Sequence, residues 1–491
     1  MKGTLGVIVG NRGFFPDSVA QTGHEEILRV LHEEGFETVC LSPKDTRFGT
    51  VDTFQDAKAC ADLFQRHTNQ IDGILVTLPN FGDERGVANS IRLSGLNVPV
   101  LVHAYPDDLS KFAIGSRRDS FCGKFSVCSN LNQYRIPFTL TRHHTVHPTS
   151  AGFREDLQRF GATCRVVRGL RKARIGAIGT RPSSFTSVRY SEKILEAHGI
   201  SVEVIDLSAI LQQIKSLSDS DGSVKTKLSS IRQYVSTRNV PNDALSAMAK
   251  LGVVIDRWME ENELCATAIQ CWTNLQDFLG VVPCTLMSMM GSSLLPSACE
   301  VDIAGLIGMY TLQLASGSPS AIVDWNNNYS DDPDKCVLFH CSNFPKEFYE
   351  TPPTIDRHEI LASVLPIDQT WGTLQGRIKS GPVTLFRVST DDITGELTSY
   401  IAEGKLTNDP AVTWGGIGVV QVPELQELLR FVCKRSFEHH VAINLGWVSE
   451  SIVEALREYL GWQIHWHEGF RRTGYSSVDH PSQNTATTGA H

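Results

Sequence analysis

Along the first hundred positions, compact apolar runs alternate with spaced apolar stripes. Leu5–Val9, Thr38–Leu41, Gly73–Leu78 and Val98–His103 have the length of buried strands, whereas Ser18–Glu34, Thr53–Arg66 and Glu84–Leu93 space their apolar positions three and four apart. Strand-length runs separated by helical stripes predict a parallel sheet, because each parallel connection needs a crossover long enough to hold a helix. The rhythm restarts near Lys172, with a strand at Arg174–Gly179, a helix at Ser187–His198, a strand at Ser201–Asp206 and helices up to Glu263. After Pro352 the texture changes. WGTLQGRIKSGPVTLFRVSTDDITGELTSYIAEGKL alternates in period two between turn residues, which predicts β structure; a helix at Pro423–Lys434 and a strand–helix–strand pattern to about His467 follow. The chain thus reads as α/β. Two doubly wound Rossmann-like domains cover 1–170 and 171–351, a β-rich, barrel-like domain covers 352–475, and a polar mobile tail covers 476–491.

Composition narrows the function more than the fold. With 491 residues, 41% hydrophobic and 20% charged, the chain has material for about three cores and no signature of disorder. A formal charge of −9 gives no basic footprint for nucleic acid, and the basic run Lys225 to Arg238 reads as a solvated helix face. The segment MKGTLGVIVGNRGFF reads as a first strand rather than a leader, and no run approaches the roughly 18 to 20 apolar residues that span a bilayer. A cytoplasmic protein is expected. Its twelve cysteines fall at irregular spacing, so they read as reduced, mostly buried thiols. The turns GVIVGNRG and GAIGTRP lack the spacing GxGxxG that admits a pyrophosphate, which argues against a nicotinamide cofactor.

The candidate chemistry lies at element ends. Glu300 sits in LLPSACEVDIAGLIGMY, where Ser297 and Glu300 also have the spacing of a capping box, so the carboxylate has a purely structural alternative. Asp324 closes the apolar run Ala321–Val323 and precedes WNNNY, where a strand yields to a polar loop. His340 closes Cys336–Phe339 in the same way, and His439 and His440 lie in SFEHHVAINLG between a helix and an apolar run. Each lone histidine could equally be a hydrogen-bonded core residue. A rival cluster, His143, His144 and His147 in RHHTVHP, has no acidic partner nearby and reads as an interdomain or substrate-facing segment. Gln270, Trp272, Asn274, Trp325, Asn326 and Asn327 flank the strand ends and offer stacking and hydrogen bonds to a sugar, although aromatic side chains there could belong to the core.

In order and spacing, GNRGFF, GAIGTRPSSF, ACEVDIAGLIGMY, the strand ending in Asp324, GPVTLFRV and EHHVAINLG resemble the L-fucose isomerase and L-arabinose isomerase superfamily. That resemblance implies a metal-dependent aldose–ketose isomerase working through an enediolate on a pentose or (deoxy)hexose such as L-fucose, D-arabinose or L-arabinose. It implies Glu300 and Asp324 as the catalytic pair, with Glu300, Asp324 and His440 as metal ligands and His340 where the arabinose branch carries a further histidine. The substrate-binding set would be Arg12, Gln270, Trp272, Asn274, Trp325, Asn326 and His439. An oxygen-rich donor set with histidine suits Mn²⁺, with Mg²⁺ or Co²⁺ as alternatives. A homo-oligomer, a hexamer by resemblance, is implied, in which Arg12 serves a neighbouring subunit. Two alternatives stand beside this reading: the same chemistry on an acidic sugar such as sulfoquinovose, held by Arg12 or Arg181, and a non-catalytic sugar-binding protein.

Overall fold

The computed structural model describes residues 3–113 and 115–468, so the expected tail at 476–491 lies outside the described residues. Five parallel strands form the first sheet, in the order Glu37–Cys40, Thr4–Val9, Ile71–Leu78, Val100–Ala104 and Thr139–Leu140. Alternation along Thr4–Val9 covers both faces of this sheet. Ile8 joins the apolar cluster under the helices Phe54–Arg66 and Glu84–Ser94, and Val7 and Val9 join the cluster under Asp17–Glu33 and Ala151–Leu170.

A second parallel sheet runs Ser201–Ile205, Arg174–Ile178, Ala266–Ile269 and Ser297–Cys299. The helix expected over Ser187–His198 is shorter, Glu192–Ala197, because Thr186–Val188 forms a separate 3-10 turn. The larger correction concerns Glu300. Ser297 lies in a strand rather than at a helix cap, and the helix begins only at Ile303, capped by Asp302, whose carboxylate accepts from the Gly305 amide at 2.8 Å. The capping-box alternative for Glu300 is therefore excluded.

The third sheet has nine strands, and an additional pairing of Glu396–Thr407 with Gly416–Gln421 closes six of them into an antiparallel barrel. Around the barrel run Gly416–Gln421, Lys335–His340, Ser320–Asn328, His440–Asn444, Gly381–Asp391 and Glu396–Thr407. Closure pairs the edges of these strands, which removes the exposed template an open sheet would present. Two barrel strands, Ser320–Asn328 and Lys335–His340, come from the stretch that the sequence reading groups with the central unit. Val323 and Val441 fall in one apolar cluster, and Ile322 and Ala442 in another that contains the helix Ile303–Ser316. By period two, Asp324 shares the face of Ile322 and His440 that of Ala442, so both point toward the junction with the central sheet.

Candidate active site at the junction of sheet and barrel

Three peptide segments meet at this junction. Glu300 follows the strand Ser297–Cys299 at its carboxyl end, with φ 64, where the chain turns out of the parallel sheet. Asp324 and His440 are register partners on adjacent barrel strands. His340 ends the next strand over, and its ring meets that of His440 edge to face at 5.5 Å. Nε2 of His440 lies 3.4 Å from Asp324 Oδ1 and 3.6 Å from Glu300 Oε2. Glu300, His340 and His440 each present a ligand atom within 4.8 Å of the others, as do Asp324, His439 and His440. Glu300 and His340 on one side and Asp324 on the other thus converge on His440, in two overlapping groups rather than one.

The orientation of His440 is set from behind. Its Nδ1 donates to Asp302 Oδ2 at 2.8 Å, which leaves Nε2 with a free lone pair aimed at the two carboxylates. The same Asp302 oxygen accepts from Arg387 Nη1 at 2.6 Å, and Arg387 Nε reaches Glu438 Oε2 at 3.0 Å. Both Asp302 and Arg387 are fully buried. Burial alone would raise the Asp302 carboxyl, but the Arg387 guanidinium and His440 hold it well below the usual carboxylate range. Glu300 moves the other way: burial pushes it up, against the pull of His440 and His340. Gly305 makes room for the pair, since a Cβ there would stand 2.7 Å from Arg387 Nη1 and 2.3 Å from Asp302 Oδ2.

The substrate-binding candidates divide. Gln270 caps the rim beside the second sheet, accepting from the Thr180 amide at 2.9 Å and donating to Asn274 Oδ1 at 2.9 Å. Gly179 allows this approach, with φ +77 and Gln270 Oε1 at 2.4 Å from where a Cβ would lie. Trp272 packs against Phe185 and His358 on the same rim. Half-exposed His439 stands 3.6 Å from Asp324. Trp325 instead donates to the Tyr400 hydroxyl at 2.9 Å, while Asn326 and Asn327 are exposed on the strand beyond it. Arg12 is tied to the N-terminal sheet, donating to the Gly82 carbonyl and pairing with Glu84. The RHHTVHP segment joins domains, since Arg142 pairs with Glu450 at 2.8 Å.

Sequence reasoning missed Asp302, Arg387, Glu438 and His358. An arginine inside the apolar run TLFRVS was a signal, because a buried guanidinium needs a buried partner. His358 is 1% exposed, accepts from the Leu361 amide at Nδ1, and leaves Nε2 without a hydrogen-bond partner between Trp272 and Trp414.

Carboxylates and imidazoles thus converge at the end of a parallel sheet, against a closed barrel, as donors of the kind that can hold a divalent cation. Comparison with known proteins identifies the family. Residues 6–171 match the family described as Fucose/sulfoquinovose isomerase, N-terminal domain, and residues 338–467 match L-fucose isomerase, C-terminal domain. Proteins named sulfoquinovose isomerase from Priestia aryabhattai and Priestia megaterium are each 23% identical over 390 residues, covering 79% of this chain and 83% of theirs. One of the same name from Alkalicoccus urumqiensis is 23% identical over 247 residues, covering 49% of this chain and 53% of its own. The chain belongs to the L-fucose isomerase superfamily and is an aldose–ketose isomerase. The non-catalytic sugar-binding alternative is thereby set aside. Among the described residues, no helix is long and apolar enough to cross a membrane.

Proposed function

We propose that this enzyme interconverts a sulfonated aldohexose, such as sulfoquinovose, and its ketose, using one divalent cation held by Glu300, Asp324, His440 and His340. The observation carrying the reading is the placement of His440 Nε2 within 3.4 and 3.6 Å of two carboxylate oxygens while Asp302 occupies Nδ1. The donor set fits a cation on a second count. Asp324 Oδ1 is buried without a hydrogen-bond partner, an anionic oxygen that needs positive charge beside it. Carboxylate oxygens suit Mn²⁺, and the imidazole donors favour it over Mg²⁺, with Co²⁺ an alternative. A cation held there supplies Lewis acidity toward vicinal sugar oxygens and offsets the negative charge of an enediolate.

The side chains supply the proton transfers. Glu300, made more basic by burial, removes the proton from C2 and returns it to C1. Asp324 carries the hydroxyl proton from O2 to O1. In this reading Gln270, Asn274 and His439 serve the sugar hydroxyls and Trp272 stacks on the ring; His439 stands 3.6 Å from Asp324.

The relatives' names favour the acidic sugar over the neutral ones. So does Arg181, whose guanidinium hydrogen-bonds the carbonyls of Pro182 and Ser183 on the rim that carries Gln270 and is paired with no carboxylate among the described residues. Arg12, by contrast, is neutralised by Glu84. The test is a substrate panel of sulfoquinovose, L-fucose, D-arabinose and L-arabinose, run after dialysis against chelator and again with Mn²⁺ restored. Metal-dependent ketose formation from the sulfonated sugar is expected, with Arg181→Met raising KM for that sugar alone. Turnover of neutral sugars only would overturn the substrate, and turnover indifferent to chelator would overturn the metal.

A further inference from the structure

The cysteine at the end of SAC and the one after FH face each other directly behind the carboxylate centre. Cys299, His340 and Cys341 present Sγ, a ring nitrogen and Sγ within 4.8 Å of one another, and they are 0%, 2% and 6% exposed. Cys341 Sγ stands 3.4 Å from His340 Nδ1, and the Asn343 side-chain amide donates to Cys299 Sγ at 3.5 Å. Cys284 adjoins both cysteines, and Cys271 adjoins Cys299; both are fully buried. All these thiols are free.

Two ligands on one tetrahedral Zn²⁺, at bond lengths of about 2.3 Å for sulfur and about 2.0 Å for nitrogen, stand roughly 3.5 Å apart. The His340–Cys341 separation already has that value, and the remaining pairs lie within 4.8 Å. Sulfur and imidazole donors select a thiophilic ion, whereas the adjoining carboxylates select a hard one.

We propose that Cys299, His340 and Cys341 form a second metal site specific for a thiophilic divalent cation such as Zn²⁺. Binding converts the two thiols to thiolates and releases one proton from each to solvent. Because His340 also belongs to the carboxylate centre, the two sites compete for it: a soft ion behind withdraws a ligand from the hard ion in front. This competition rests on the isomerase centre proposed above, but the thiolate site itself does not.

Co²⁺ titration of the whole chain, monitored by absorption, separates the two. Cobalt on carboxylate and imidazole has no thiolate-to-metal charge-transfer band in the near ultraviolet, and cobalt on cysteine sulfur has one. The expected result is such a band saturating at one equivalent, displaced by Zn²⁺, lost in Cys299→Ser and in Cys341→Ala, and retained in Glu300→Gln. Zinc should also weaken Mn²⁺ binding, followed by electron paramagnetic resonance, by about tenfold or more. Absence of the band in the wild-type protein, where no folding defect can intervene, means that the thiols merely pack as apolar side chains and overturns the site. Mn²⁺ binding without that band overturns this site alone; a band without Mn²⁺ binding supports it and overturns only the carboxylate centre.

Discussion

Asp302→Asn is the sharpest test of how the centre is assembled, because it changes one atom on a fully buried carboxylate. In the wild type, Oδ1 caps the helix at Gly305 and Oδ2 accepts from both Arg387 and His440. Asparagine can keep the cap only by turning its NH₂ toward those two donors. His440 must then move its proton from Nδ1 to Nε2, which aims an N–H at the position where a cation would sit between Asp324 and Glu300. Loss of such an orienting partner lowers metal affinity by about 10–100-fold, equivalent to about 1.4–2.8 kcal/mol. Stability falls as well. Removing one member of a buried ion pair costs about 3–5 kcal/mol, and Glu438, which still engages Arg387 Nε, keeps the loss near the lower end. Mn²⁺ titration by electron paramagnetic resonance and urea unfolding of the metal-free protein measure the two effects separately. If the variant binds Mn²⁺ as tightly as the wild type, the claim that Asp302 fixes the imidazole tautomer is wrong, whatever the unfolding data show.

Glu300→Gln and Asp324→Asn should each lower kcat by at least about 10²-fold while circular dichroism and melting stay close to wild type; near-normal turnover in either would remove that side chain from the proton transfers. His103 gives a pH signature away from the site. It is buried between Thr77 and the Val146 carbonyl, and burial lowers its pKa to about 3. The unfolded chain takes up that proton near pH 6.5 and the folded one does not, so stability contributed by the neutral ring is complete above 6.5 and declines as pH drops toward 3. His103→Gln should flatten this part of the unfolding free energy against pH, and an unchanged slope would contradict the assignment. Phe14, Phe121 and Phe125 are 78%, 52% and 60% exposed on the N-terminal unit, an apolar surface suited to a second copy. Sedimentation should find the active enzyme as an oligomer, and full activity in a monomer would refute that expectation.

The layered architecture was legible because it is written in periodicity. Runs such as Gly73–Leu78 have one reading when helical stripes flank them, and the corresponding strand, Ile71–Leu78, is parallel to both neighbours. The candidate ligands stood out as residue types at strand ends. What joins them did not. Asp324 and His440 are far apart in the chain and meet only through strand register, which local pattern does not specify. Glu300 resembled a cap because Ser297 stands three residues before it, yet tertiary pairing with Ala266–Ile269 draws Ser297 into a strand and leaves capping to Asp302. Arg387 and Asp302 were overlooked since each is ordinary alone; their meaning comes from burial against each other.

The pairing of Asp324 opposite His440 has an evolutionary consequence. A one-residue insertion or deletion in either strand would turn one of these two side chains to the opposite face of the barrel wall, so the pairing holds only while the length of both strands is kept. The rim segment carrying Arg181 is a loop under no such restriction. Change can therefore accumulate in such loops while the Asp324–His440 pairing stays fixed.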